Sequence, residues 1–302
     1  MIFSKYYKQF LILPAVLSLA ALIALFMWGL KPGIDLSGGS LLQVTYPEGR
    51  PTPQQVQTAV TPLSFGDMRV QPAGENGYIL RQRNLSNDEK NALEQALGTL
   101  GKIDEQGFTS IGPTIGAEIL HKGFLAIGLV VLCIIIFIAF AFRHVSEPVA
   151  SWKYGVIAIV TLMHDILIPA GIFAALGRFA GAEIDSLFIV ALLTILGISI
   201  NNTIVVFDRI RENLRKNKER REHGIFTEIV ERSIWQTLTR SINTSLTVVI
   251  MLLALYFVGP ATTQDFALTL LAGMVVGAYS SIFLASPLLV LWEKKGVILK
   301  RK

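Results

Sequence analysis

The run Phe124-Leu125-Ala126-Ile127-Gly128-Leu129-Val130-Val131-Leu132-Cys133-Ile134-Ile135-Ile136-Phe137-Ile138-Ala139-Phe140-Ala141-Phe142 contains no charged side chain. About 20 apolar residues in helical form cross the roughly 30 Å hydrocarbon core of a bilayer, so this run reads as a transmembrane helix. Comparable runs lie at 10–30, 152–176, 186–207, 241–258 and 266–292, which gives six expected spans. The whole composition agrees. Of 302 residues 52% are hydrophobic and only 16% charged, with mean hydropathy +0.54, whereas soluble domains carry about 25% charged residues. A water-soluble globule, a disordered chain and a nucleic-acid-binding module are therefore excluded. The single cysteine, Cys133, lies inside the quoted run; it permits no internal disulfide or Cys-based metal site and reads as packing.

Basic residues set the expected orientation. The N-terminus, the connections near 143–153 and 208–240, and the C-terminal tail hold 18 of the 27 Lys and Arg against eight acids. Both termini are accordingly expected on the cytoplasmic side. The first span is preceded by Lys5 and Lys8 and followed by Lys31-Pro32 without a small-residue cleavage site, so it reads as a retained anchor rather than a secretory signal. The basic tract 209–221 adjoins a span and lacks interleaved aromatics; it reads as an orientation signal and a lipid-headgroup contact, not as a nucleic-acid patch.

Three segments follow: 1–30, the cytoplasmic N-terminus and first span; 31–121, a domain on the far side; and 122–302, spans two to six with a cytoplasmic loop at 208–232 and a basic tail. Within 31–121, strand-like stretches at 41–46, 68–71, 78–82 and 106–111 alternate with two helix starts. Thr52-Pro53-Gln54-Gln55 and Ser86 with Glu89 each form a capping box. The order βαββαβ is that of a small ferredoxin-like α+β domain. The fold class is thus a polytopic helical membrane protein of six spans carrying one such domain.

A few polar residues stand where they are expensive. Asp165 lies in mid-span in Leu162-Met163-His164-Asp165, where an Asp costs roughly 3 kcal/mol, and so must face the bundle interior. It is either polar glue between helices or a proton-handling group; His164 beside it has no second ligand at metal spacing. Pro169 removes a helical hydrogen bond to the Asp165 carbonyl and should kink the helix. On the fourth span Gly197, Asn201 and Asp208 share one stripe, flanked by Asn202 and Arg209. On the fifth, Gln236, Arg240, Asn243 and Thr247 recur on one face. Arg240 either snorkels to the headgroups or faces the seam of the fourth span. Gly273, Gly277, Ser281 and Ala285 form a small-residue face suited to close helix contact. Gly33-Ile34-Asp35-Leu36-Ser37-Gly38-Gly39 reads as a tight turn, since no Lys-Ser/Thr of a phosphate loop accompanies it. No Walker, Ser/His/Asp or HExxH pattern appears, so the chain reads as a transport subunit rather than an enzyme, with no cofactor or metal.

The strings at 33–39, Ile111-Gly112-Pro113-Thr114-Ile115-Gly116, 162–165, 196–213 and 236–245 together resemble the SecF family, accessory subunits of the bacterial Sec protein translocase and relatives of the RND exporters. The resemblance covers nearly the whole chain, in order. It implies residence in the inner membrane and an obligatory SecD partner supplying six further spans. It also implies association with the SecYEG channel, often with YajC, and an unfolded secretory polypeptide drawn to the periplasmic side by the proton-motive force. The proton-coupling site it implies is Asn202 and Arg240, with Asn201, Asp165 and Asp208 around them. Asp35, Gly38, Gly39, Gly112 and Pro113 are the loops that would pass motion to the periplasmic domain.

One residue departs from the family pattern. Where Asn202 stands, SecF proteins normally have Asp, which is thought to carry the coupling proton near the arginine matching Arg240. Asn neither takes nor releases a proton near neutral pH and has the shape of a protonated Asp. It is either an introduced substitution that freezes the protonated-like state or a natural variant in which SecD's own carboxylate carries the traffic. Two rival functions stand beside the motor reading: a silent scaffold for SecD and the channel, and half of a small-molecule RND exporter, which the single external domain of about 90 residues disfavours.

Overall fold

The computed structural model describes residues 2–66, 68–141, 149–220 and 225–300. Most of the basic connection expected near 143–153, the end of the tract 209–221 and the tail residues 301–302 lie outside them. In chain order the elements are α1 (Ile2–Phe10), α2 (Ile12–Trp28), α3 (Ile34–Ser37), β1 (Gly39–Thr45), α4 (Pro53–Val60), β2 (Arg69–Ala73), β3 (Gly77–Gln82), α5 (Asn87–Gly98) and β4 (Asp104–Ile111). There follow α6 (Pro113–Ala141), α7 (Ser151–Phe179), α8 (Ser186–Glu219), α9 (Phe226–Val258), α10 (Ala261–Ser280), a π-helical turn (Ser281–Ala285) and α11 (Ser286–Lys300). Among the described residues six helical stretches are long and apolar enough to cross a membrane, at the six expected places.

The helices differ from the expected spans at their ends. The loop expected at 208–232 is helix as far as Glu219 and again from Phe226. Its charges are spaced to support helix, with Lys216 on Glu212 at 2.6 Å and Arg215 on Glu219 at 3.5 Å. Helix α6 starts at Pro113, a residue suited to a first helical turn, so the second span is already helical within the segment 31–121, and the residues as far as Phe124 cluster with the sheet unit. Helix α7 runs unbroken through Pro169.

The chain divides into two units. One, Lys31–Phe124 with Glu183–Ser186, contains a four-stranded sheet in the order β2-β3-β1-β4, every neighbouring pair antiparallel. Strand β3 separates β1 from β2, the split βαβ arrangement of the ferredoxin-like fold. Alternation along β1 and β3 sends Leu42, Val44, Tyr78 and Leu80 to one face, where they meet Val56 and Val60 of α4 and Leu93 and Leu97 of α5. Both capping boxes form, Thr52 with Gln55 and Ser86 with Glu89. Arg83 pairs with Glu89 and, with the Ser86 N–H, holds the Glu89 carboxyl at about 2.

The connection Glu183–Ser186 is woven into this unit. The Gly33 N–H donates to the Ile184 carbonyl at 2.8 Å, and the Ile184 N–H to the Lys31 carbonyl at 2.8 Å. Arg69 and Arg81, paired across β2 and β3 on the face away from the core, share Glu183. Together with Pro32, Ile34 and Ser37 they line a cleft of about 210 Å³.

The other unit, Met1–Leu30, Leu125–Ala182 and Leu187–Lys302, is the helix bundle. Its largest buried cluster includes Tyr154, Ile157 and Leu162 of α7 with Val206, Phe207 and Ile210 of α8 and Leu289 and Val290 of α11. Helix α2 packs along α7 where Ala21 meets Gly171. Phe26, Phe137, Phe140, Phe257 and Val258 are exposed, as side chains that face lipid are.

Candidate functional site

Asp165 is completely buried. Its Oδ1 lies 2.8 Å from His164 Nδ1, and its Oδ2 accepts from the hydroxyls of Ser199 on α8 and Ser280 on α10, the latter at 2.8 Å. The second imidazole nitrogen, Nε2, is 2.9 Å from the Tyr279 hydroxyl. With Asp165 ionised, and so only accepting, Nδ1 carries the imidazole proton and Nε2 accepts from the phenol. One carboxylate thereby gathers groups from three helices, and every polar atom in the cluster has a partner.

Small residues make this convergence possible. A Cβ on Gly273 would lie 2.2 Å from Ile195 Cδ1, and one on Gly277 would lie 3.4 Å from Ser199 Cβ. The small-residue face thus lets α10 lie against α8 at the level of Asp165. Immediately after Ser280 the helix passes into the π turn Ser281–Ala285, with Ser286 Oγ donating to the Ser281 carbonyl at 3.1 Å. Ser199, Tyr279 and Ser280 were not singled out from sequence as partners of Asp165. A carboxylate inside a membrane must find donors, and hydroxyls beside a small-residue face are where they could have been sought.

The second polar feature lies on α8 and α9. Gly197, Asn201 and Asp208 are exposed on α8, and Gln236, Arg240, Asn243 and Thr247 are exposed on α9. Asn202 is only 7% exposed, yet its Nδ2 has no hydrogen-bond partner among the described residues; the same holds for Ser245 Oγ. The side chains of Arg240 and Asn201 make no hydrogen bond or ion pair among the described residues, so of the two readings of Arg240 the contact with the α8 seam is not made among them. The buried line of α9 runs instead through Ser233, Thr237, Ser241 and Ser245.

Contact between the two helices is made nearer their charged ends. Gln236 Oε1 accepts from Arg209 Nε at 2.7 Å and from Asn213 Nδ2 at 2.8 Å. Asn213 Nδ2 also reaches Ser233 Oγ at 2.8 Å, and Arg232 donates to Asn217 at 3.0 Å. Asp208 pairs with Arg211 at 2.9 Å.

The predicted coupling loops converge within the sheet unit. Gly38 has φ +81, and a Cβ there would meet Pro113 Cα at 2.6 Å; no other residue fits. Gly39 crosses close to the Gln82 carbonyl, while Gly112 precedes Pro113 at the start of α6. Asp35 Oδ2 accepts from the N–H and hydroxyl of Ser186, at 3.3 and 2.6 Å. A carboxylate from α3 thus caps the N-terminus of the long helix α8.

Comparison with known proteins places this geometry. A family model described as protein export membrane protein SecD/SecF, C-terminal, matches residues 92–295. A protein translocase subunit SecF of Thermobaculum terrenum is 44% identical over 96% of this chain and 93% of its own length. One from Anaerolinea thermophila is 38% identical over 97% and 94%. Among solved structures, SecDF of Thermus thermophilus, a translocon-associated membrane protein, matches 97% of this chain with TM-score 0.84 and 30% identity. SecDF in a super-membrane-facing form matches all of it with TM-score 0.68 and 31% identity. The chain spans only 39% of each of those SecDF polypeptides.

Proposed function

The chain belongs to the SecF family of protein translocase subunits, and from that premise we propose that it works with a SecD partner as a motor. Driven by the proton-motive force, the motor draws translocating polypeptide to the periplasmic side of the inner membrane. In this reading both termini are cytoplasmic and the sheet domain is periplasmic, as the distribution of basic residues favours. The SecYEG channel, YajC and membrane lipids are its neighbours, and its client is an unfolded secretory chain.

The observation that carries the proposal is the uncovered polar stripe on α8 and α9. Asn201, Arg240, Asn243 and Thr247 are exposed on helices otherwise apolar enough to span a membrane. Polar groups at such positions face protein or a water-filled cavity rather than lipid. A second helical half, supplied by the SecD partner, would cover this stripe and bring donors or acids to the Arg240 seam, while Asn202 Nδ2 lies enclosed within this chain. Asp165, Asp208 and the pair Asn202 and Arg240 are the coupling residues of this reading. Asp35, Gly38, Gly39, Gly112 and Pro113 carry movement to the periplasmic domain. One charge crossing 100 mV yields about 2.3 kcal/mol, so a few protons suffice to bias a domain movement.

The test is export by a reconstituted complex with SecD. Arg240→Ala abolishes export while the complex stays assembled, and Asn202→Asp changes secretion and proton flux. Unaltered export in both variants removes the coupling role of the seam. The scaffold reading is favoured by one feature, the non-titrating Asn202; retained export in Arg240→Ala would decide for it.

A further inference from the structure

We infer that Tyr279, His164 and Asp165 form a proton-binding relay of their own, separate from the Asn202 and Arg240 seam, and that its occupancy sets how firmly α7, α8 and α10 are joined. The relay's connection to export rests on the translocase reading above; its ability to bind a proton does not.

The geometry gives an ordered line. Tyr279 is partly exposed, His164 is buried, and Asp165 is completely buried. The phenol oxygen is 2.9 Å from Nε2, and Nδ1 is 2.8 Å from Oδ1. An imidazole held between a phenol and a carboxylate can accept a proton on one nitrogen while releasing one from the other. Tyr279 gives its O–H proton to Nε2, the imidazole passes its Nδ1 proton to Asp165 Oδ1, and the phenol oxygen regains a proton from outside. One proton has entered, Asp165 has become neutral, and the Nδ1 to Oδ1 hydrogen bond remains with its donor reversed.

The remaining contacts turn this step into a mechanical one. Oδ2 receives the hydroxyls of Ser199 and Ser280, which tie α8 and α10 to α7. Bonds to an ionised oxygen are roughly twice as strong as those to a neutral one, so proton uptake weakens both ties together. Ser280 has a second acceptor within reach, the Gly277 carbonyl at 3.4 Å. Two local changes in the helical hydrogen-bond ladder stand beside the cluster. Pro169 leaves the Asp165 carbonyl without its usual helical donor, and the π turn begins directly after Ser280.

No other charge competes at this point. Helix α2, packed along α7, has no ionisable side chain. From α8 only Ser199 reaches the cluster, and from α10 only Tyr279 and Ser280, among the described residues. Lys153 and Arg178 on α7, Asp208 on α8 and Asp265 on α10 lie nine or more residues away along their helices, about 13 Å or further. Arg240, on α9 beside α10, is exposed. The π turn and the part of α11 that follows it contribute no ionisable group before Glu293.

Infrared spectroscopy of the full chain in lipid nanodiscs, titrated from about pH 4 to 10, reads the site directly. A protonated-carboxyl band is expected to appear as pH falls and to be lost in Asp165→Asn. Tyr279→Phe and His164→Gln, which keep most of the packing, are expected to move its midpoint by about half a unit or more. The proposal is overturned if the titrating carboxyl signal is the same in the wild type and Asp165→Asn. It is equally overturned if neither His164→Gln nor Tyr279→Phe moves the midpoint, a readout that stands even if Asp165→Asn does not fold. Because neither SecD nor the channel is present, a titrating band in a protein that supports no export would uphold the relay and reject the translocase reading.

Discussion

The membrane helices carry two polar sites built on opposite terms. Around Asp165 a carboxylate, an imidazole, a phenol and two hydroxyls from three helices satisfy one another inside the chain. Along α8 and α9, Asn201, Arg240, Asn243 and Thr247 are exposed, and Asn202 Nδ2 is buried with no hydrogen-bond partner among the described residues. The closed site belongs to the subunit and should act in it alone. The open one, in the function proposed, is completed by a partner surface. Intramembrane polarity is therefore not one property in this protein.

The largest effect expected from this contrast is in the closed site. Asp165→Ala strips three donors of their acceptor and should lower the stability of the isolated chain by about 3 kcal/mol, read as a fall in melting temperature in nanodiscs. Gly273→Leu should come next, at about 2 kcal/mol, because α10 can no longer approach Ile195 and the hydroxyl of Ser280 is carried away from Asp165. The sheet domain supplies a calibration in water. Its Glu89 carboxyl is held at about 2 by Arg83, below the ordinary 4.5. Its contribution is complete above about pH 4.5 and fades as pH falls toward 2. Glu89→Gln should remove that part of the domain's acid sensitivity in a thermal melt series and leave its stability near neutrality only slightly lower.

The smallest changes belong to the open site. Arg240→Ala and Ser245→Ala should leave the isolated chain within about 0.5 kcal/mol of the wild type, with Ser245→Ala on the stabilising side, since its hydroxyl is buried with no partner among the described residues. A loss in Arg240→Ala as large as that in Asp165→Ala would end the distinction between the two sites. A loss confined to the complex with SecD would sharpen it.

Much of the architecture was legible before any coordinates. The six spans follow from run length, and the ferredoxin-like domain follows from two capping boxes set between alternating strands, because those signals are local. The polar hairpin of α8 and α9 was hidden for the opposite reason. Its composition reads as loop, and only the i,i+4 spacing of Glu212 with Lys216 and of Arg215 with Glu219 betrays helix. Asp165 announced itself by being a charge in lipid, but its partners did not. Ser199 and Ser280 are ordinary small residues of a packed helix until a carboxylate stands opposite, and that depends on the crossing of helices far apart in sequence. Similarly, the repeat of Arg240, Asn243 and Thr247 marked a common face, and the three are exposed on α9, but a repeat does not tell what such a face meets.

The cap that Asp35 places on Ser186 has a consequence in time. Strand β4 completes the sheet at Ile111, but Glu183 and Ile184 are made only about 70 residues later, which at 5–20 residues per second is about 4–14 s of synthesis. For that interval the Lys31 carbonyl and the Asp35 carboxylate lack the Ile184 and Ser186 groups that they bind in the finished unit. The sheet unit is therefore completed only after the third span has been made, because four of its residues, Glu183–Ser186, follow α7 in the chain.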